Sequence, residues 1–180
     1  MTRLIVDATL PRERGPNRPV TEVAVGVLIR ADGEFLLTSR PPGKAYEGYW
    51  EFPGGKLESG ESVLQALSRE LHEELGIVVD SAKLWKEETV DYPHALVRLH
   101  FCKVLHWRGD LQMRENQQFS WQHLPVVVAP VLPGTFPVLA WLAEEAAYAG
   151  ATCLPQNTTE VSESGGVETL WAPNGRLGVS

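Results

Sequence analysis

Residues 62–76, Ser-Val-Leu-Gln-Ala-Leu-Ser-Arg-Glu-Leu-His-Glu-Glu-Leu-Gly, describe a helix with both ends marked. Ser62 followed by Gln65 is the pattern of a capping box, in which each side chain satisfies a backbone N–H of the first turn. Gly76 is placed to stop the helix in the left-handed conformation that glycine adopts at little steric cost. Between these ends Val63, Leu64, Leu67, Leu71 and Leu75 form one apolar stripe at helical spacing. A helix with such a stripe must lie against a hydrophobic layer. With each residue turning about 100°, Glu74 falls inside the arc of the stripe, and Glu70 and Glu73 lie just beside it.

A helix that only covered a core would carry its carboxylates on the opposite face. Like charges one turn apart cost about 0.2–0.5 kcal/mol per pair, and partial burial raises the cost. A divalent cation removes the repulsion. Magnesium takes oxygen ligands, keeps several waters, and is shared between carboxylates and substrate phosphates. The plainer alternative is a solvated acidic face. Agreement of caps, stripe and charge placement favours the cation.

The rest of the chain surrounds this helix with strand patterns. Thr21 to Arg30 is β-rich, with Val23, Val25 and Val27 on one face. Ala31-Asp32-Gly33 is a turn, Glu34 to Arg40 the partner strand, and Pro41 to Gly48 a loop. Trp50 to Phe52 is a short strand leading into Pro53-Gly54-Gly55. Leu84 to Asp91 and Leu96 to Trp107 form an antiparallel pair around Tyr92-Pro93-His94. Phe119 to Trp121 is a short strand, and Thr135 to Tyr148 is helical, with Pro137 near its start. This order implies an α+β fold. Residues 1–20 read as an irregular leader, 21–148 as the domain, and 149–180 as a polar tail in which Leu170 and Trp171 could dock.

Composition narrows the function. The formal net charge of −7 argues against a nucleic-acid polymer as partner, because polymer binding rests on a basic footprint. A free nucleotide is compatible, since its phosphates are reached through metal ions. Cys102 and Cys153 are too few for a disulfide framework. No apolar run is long enough to span a membrane, and the N-terminus lacks a signal-peptide core. The expectation is a cytoplasmic monomer with a small-molecule substrate.

Gly55, Glu61, Arg69, Glu70, Glu73, Glu74 and Gly76, with Leu71 and Ile77 at apolar positions, stand at the spacings of the Nudix box. Seven such residues coincide by chance on the order of 10⁻⁸ per starting point. Val23-Ala24-Val25-Gly26-Val27, Thr38-Ser39-Arg40 and Trp50-Glu51-Phe52-Pro53-Gly54-Gly55-Lys56 extend the likeness, as do Trp107-Arg108-Gly109, Glu115-Asn116-Gln117 and Trp121. Over residues 21 to 145 the chain resembles the MutT branch of the Nudix superfamily.

That resemblance implies an α/β/α sandwich with a mixed central sheet. It implies a Mg2+-dependent enzyme, with Mn2+ as a substitute, that hydrolyses 8-oxo-dGTP to the monophosphate and pyrophosphate. Glu70, Glu73 and Glu74 match the metal-binding and base-forming carboxylates, and the Gly55 carbonyl a further ligand. Glu115 matches a glutamate brought to the metal by a distant loop. Arg69 would orient the carboxylates, with Glu61 beside it in the catalytic set. Arg40 and Lys56 match phosphate-facing positions, and Glu51, Phe52 and Thr135 complete the substrate-binding set. Phe52 with Val23 and Val97 could wall a purine or be ordinary core. The general base is Glu70 or Glu74.

Two positions depart from the pattern. Thr135 stands where an asparagine reads the oxidised purine, and a hydroxyl offers less than an amide. Ala95 stands where a basic residue is expected. These departures keep open a second substrate class: ADP-ribose, a dinucleotide polyphosphate or an ordinary (d)NTP. A non-catalytic nucleotide-binding domain is the third reading, which a degraded box would favour; this box is intact.

Overall fold

In the computed structural model, which describes residues 4–6 and 18–152, one strand organises both halves of the core. Along β2 (Val20–Leu28) successive side chains point to opposite faces of the sheet. Val25 and Val27 join Phe35, Phe52, Phe101 and Val138 on one side. Ala24 and Leu28 join Leu67, Leu71 and Leu75 on the other. Leu36 of β3 (Phe35–Ser39) goes with the second group and its neighbours Phe35 and Leu37 with the first.

The remaining elements are β1 (Leu4–Val6), β4 (Trp50–Glu51), β5 (Gly54–Lys56), α1 (Val63–Leu75), β6 (Val78–Asp91), β7 (Leu96–Arg108), β8 (Phe119–Gln122) and α2 (Phe136–Thr152), which follows a 3-10 turn at Pro133–Thr135. The larger sheet runs β1-β6-β7-β2-β5 and the smaller one β4-β3-β8. β2 pairs with β7 in parallel and with β5 antiparallel, so the sheet is mixed. α1 covers one face, and Val138, Trp141 and Leu142 of α2 cover the other. The result is the expected α/β/α sandwich.

Several boundaries differ from the sequence reading. The irregular leader supplies β1, which pairs in parallel with Thr89–Asp91. Three residues are too few to carry a period. β6 starts at Val78 rather than Leu84, because Asp80, Ser81 and Lys83 mask it and register shifts near Ser81 and Leu84 break its alternation. Gly54–Lys56 is a strand, β5, although Gly54-Gly55 has the composition of a turn. The final helix begins one residue later than expected and extends to Thr152. Cys153, Leu170 and Trp171 lie outside the described residues. No helix among the described residues is long and apolar enough to cross a membrane.

Candidate active site

α1 is built as its sequence dictates. The Ser62 hydroxyl accepts from the Gln65 N–H, and the Gln65 side chain accepts from the Ser62 N–H at 2.9 Å. Gly76 ends the helix at φ 73°. Ala66, Leu67, Leu71 and Leu75 are fully buried. Leu64 is not part of the buried stripe: at 43% exposure it faces solvent, while its neighbour Val63 takes the inward place in the first turn. The buried arc is instead widened by Ala66, and Glu70 and Glu74 fall within it.

Those two carboxylates lie against the backbone of β5. A β-carbon on Gly55 would stand 2.1 Å from the Glu70 carboxyl carbon, so only glycine admits Glu70 at this place. Gly54 has φ 148°, and a β-carbon there would meet the Ala24 carbonyl oxygen at 2.1 Å. Its N–H donates to Glu74 Oε2 at 3.2 Å. The Gly-Gly pair thus lets the helix carboxylates sit directly on the strand. Glu73 does not join them. It is 57% exposed, pointing away from the core, and pairs with Arg69 at 3.2 Å.

Arg69 ties these groups together. Its Nε and Nη2 donate to the two Glu61 oxygens at 2.8 and 2.9 Å, the fork geometry that suits guanidinium and carboxylate. Nη2 also donates to the Lys56 carbonyl, and Nη1 to Glu70 Oε1 at 2.8 Å. The Arg69 contact, helped by the Glu58 N–H, holds the Glu61 carboxyl down at about 2. Glu61 therefore stays ionised and fixes Arg69, which fixes Glu70.

In front of Glu70 and Glu74 opens a cleft of about 540 Å³. Glu115 reaches it from the loop after β7. That loop is bound to the end of α1, where helix carbonyls lack intrahelical donors. Gln112 N–H donates to Leu75 O, Arg114 N–H to Glu74 O, and Arg114 Nη1 to His72 O. Gln117, only 7% exposed, donates to Glu74 O and accepts the Glu115 N–H at 2.8 Å. Nothing in the sequence pattern marks this pinning role of Gln117.

Arg40 donates to Glu51 Oε1 and to the Ala45 carbonyl, both at 2.6 Å, and with Glu51 it lines the cleft. Phe52 and Lys56 also line it, as do Val23 and Val97. Phe52 is at the same time core, 5% exposed and tilted against Phe35. Thr135 is not in the cleft wall. It is buried in the 3-10 turn, where its N–H donates to Leu132 O, and Leu132 occupies the wall instead. Glu61, Arg69 and Glu73 stand behind or outside the cleft rather than in it. Lys44, Tyr46 and His94 also line the cleft, and as lone loop residues they carry no spacing signal in the sequence.

Burial first, and then the charges of Glu115, Glu70 and Glu51, push the Glu74 carboxyl up to about 8, against the pull of the Gly54 hydrogen bond. Burial likewise raises Glu51, opposed by Arg40. Carboxylates forced together in this way call for a cation. Among the described residues no three His, Cys, Asp or Glu side chains enclose an ion closely. The arrangement is an open edge of oxygen donors, Glu70 and Glu74 on the Gly55 backbone. An open edge suits a hydrated ion that completes its shell with a ligand's phosphates.

The NUDIX domain family matches residues 20–142. An 8-oxo-dGTP diphosphatase of Haemophilus influenzae is 37% identical over 105 residues, 58% of this chain and 77% of that protein. A CTP pyrophosphohydrolase of Escherichia coli is 37% identical over 125 residues, 68% of this chain and 93% of that protein. A solved MutT structure, from work on Aliivibrio salmonicida and Vibrio cholerae, is 30% identical with a TM-score of 0.57, covering 71% of this chain and 99% of that one. A match over this span, on a fold that lays two box glutamates against Gly54-Gly55, leaves one conclusion: the chain belongs to the Nudix family and is a Nudix hydrolase.

Proposed function

We propose that this enzyme is a magnesium-dependent nucleoside triphosphate pyrophosphohydrolase that acts on 8-oxo-dGTP, releasing 8-oxo-dGMP and pyrophosphate. The observation that carries the reading is the pair Glu70 and Glu74, seated on Gly54-Gly55 at the edge of a cleft walled by Val23, Phe52 and Val97. The relatives named 8-oxo-dGTP diphosphatase support the substrate. In this reading the protein is a cytoplasmic monomer that clears an oxidised precursor, with no nucleic-acid polymer as partner.

Glu70, Glu74 and the Gly55 carbonyl would hold the cation, and Glu115 would approach it from its loop. Glu73, outermost on the helix, completes the acidic set from the solvent side. When bound, magnesium supplies Lewis acidity at the phosphoryl oxygens and a more acidic water. Arg69, braced by Glu61, keeps Glu70 in place. Glu70 or Glu74 accepts the proton of the attacking water. Arg40 and Lys56 face the phosphates, and the apolar wall receives the base.

A second reading, an ordinary (d)NTP such as CTP, is favoured by one structural fact. Thr135 lies off the cleft wall, and Ala95 lines it, so neither residue supplies the side-chain donor-acceptor pair that would single out an oxidised purine. The test is kcat/KM for 8-oxo-dGTP, dGTP, CTP, ADP-ribose and a dinucleoside polyphosphate with Mg2+ and with Mn2+. The proposal expects 8-oxo-dGTP to exceed dGTP and CTP by at least about tenfold, the worth of one well-placed contact. Equal rates for 8-oxo-dGTP and dGTP would reject it, and a CTP maximum would establish the second reading.

A further inference from the structure

Two residues that line the cleft make a contact that the reaction as described leaves unused. Lys44 Nζ lies 2.6 Å from Glu115 Oε2, joining the loop between β3 and β4 to the loop after β7. The two residues are 71 positions apart, and both line the cleft. Each keeps substantial exposure, 49% and 39%, so water reaches the pair and it can be exchanged. The supports on either side are firmer. Arg40 holds the Ala45 carbonyl at 2.6 Å, next to Lys44. The Gln117 side chain accepts the Glu115 N–H at 2.8 Å, across Asn116 in the left-handed conformation at φ 60°. Both backbones are thus anchored while the ion pair itself stays open to solvent.

Two of the cleft's cations are placed differently. Arg40 is held by Glu51 and the Ala45 carbonyl, and Lys56 ends β5 next to Gly55, so neither of these phosphate-facing cations is the one that pairs with Glu115. Lys44 is the cleft-lining cation that pairs with Glu115. An ammonium is a mobile point charge that suits phosphate oxygens as well as carboxylate.

We propose that Lys44 is a substrate-phosphate residue which the free enzyme holds on Glu115, and that Glu115 exchanges Lys44 for the cation when metal and nucleotide bind. This rests on the reading of Glu115 as a metal-facing carboxylate. It makes two changes run in opposite directions. Lys44 competes with metal for Glu115 in the free enzyme, yet assists the nucleotide in the complex. Loss of Lys44 therefore tightens metal binding and weakens substrate binding. A residue that merely braced a loop would weaken both or neither.

The test is calorimetric titration of the nucleotide-free full-length protein with Mn2+, together with KM for a nucleoside triphosphate, in wild type, Lys44→Met, Lys44→Arg, Glu115→Gln and the double variant Lys44→Met/Glu115→Gln. Lys44→Met is expected to bind Mn2+ about twofold to fivefold more tightly, the range of an exposed ion pair. Its KM should rise about tenfold, the range of a charged hydrogen bond, and by more than kcat falls. Lys44→Arg should recover most of the KM. In the Glu115→Gln background the effect of Lys44→Met on Mn2+ should vanish. Unchanged or weakened Mn2+ binding in Lys44→Met overturns the exchange, whatever happens to KM. Failure of the underlying reading looks different: wild-type Mn2+ binding would then be indifferent to Glu74→Gln and Glu115→Gln.

Discussion

Replacing Glu74 by glutamine should stabilise the metal-free protein while abolishing its metal response. Glu74 is raised from 4.5 to about 8 by burial and by three neighbouring carboxylates. A carboxyl whose folded pKa lies above its unfolded value contributes stability below about pH 4.5, and that contribution is lost as pH rises toward 8. At about 1.4 kcal/mol per pH unit, the loss by pH 7.5 is at most about 4 kcal/mol. Water reaching part of the carboxylate reduces this to about 1–3 kcal/mol. Glutamine is isosteric, keeps an oxygen for the Gly54 N–H, and carries no charge to repel Glu70 or Glu115. In EDTA at pH 7.5, Glu74→Gln should therefore melt about 2–12 °C above wild type, at about 2–4 °C per kcal/mol for a chain of this size. The gap should close as pH falls toward 4.5. Adding Mg2+ should raise the wild-type Tm and leave the variant nearly unmoved. A variant no more stable than wild type in EDTA, or a gap independent of pH, would refute the electrostatic argument.

Three further outcomes follow from the same geometry. Gly55→Ala puts a methyl group where the Glu70 carboxylate lies, within 2.3 Å of both its oxygens, and kcat/KM for nucleotide hydrolysis should fall at least about a hundredfold. Arg69→Lys keeps the charge but loses the fork that spans both Glu61 oxygens and Glu70; steady-state kinetics should show kcat down about tenfold to a hundredfold, with KM moving less. Ser62→Ala removes the capping hydroxyl of α1 and should lower Tm by about 2–4 °C, for a loss of about 1 kcal/mol, with kcat per folded molecule retained.

What could be read from the residues was what local chemistry encodes. The caps of α1 need only Ser62, Gln65 and Gly76, and the burial of Glu70 and Glu74 follows from the helical angle between them and Leu67 and Leu71. Long-range register lies beyond that kind of reading. That Gly54-Gly55 would form β5 against Ala24 depends on pairing with β2, which no local period announces. Glu73 looked equivalent to its neighbours because it is adjacent to the arc, but Arg69 four residues back holds it outward. Likeness to a motif puts Thr135 at the base. Its position in a buried 3-10 turn is set by Leu132 and by the tertiary fit of α2. Lys44 and Gln117 act through contacts 71 and 43 residues distant, and such partners appear only once the chain is folded.

The most direct measurement is a crystal structure with Mn2+ and a non-hydrolysable nucleoside triphosphate analogue, with the ion located by its anomalous scattering. The ion should lie between the Glu70 and Glu74 carboxylates and the Gly55 carbonyl, sharing oxygens with the phosphates. An ion bound elsewhere, with Glu70 still on Arg69 and Glu74 still on Gly54 and neither touching metal, would contradict the account.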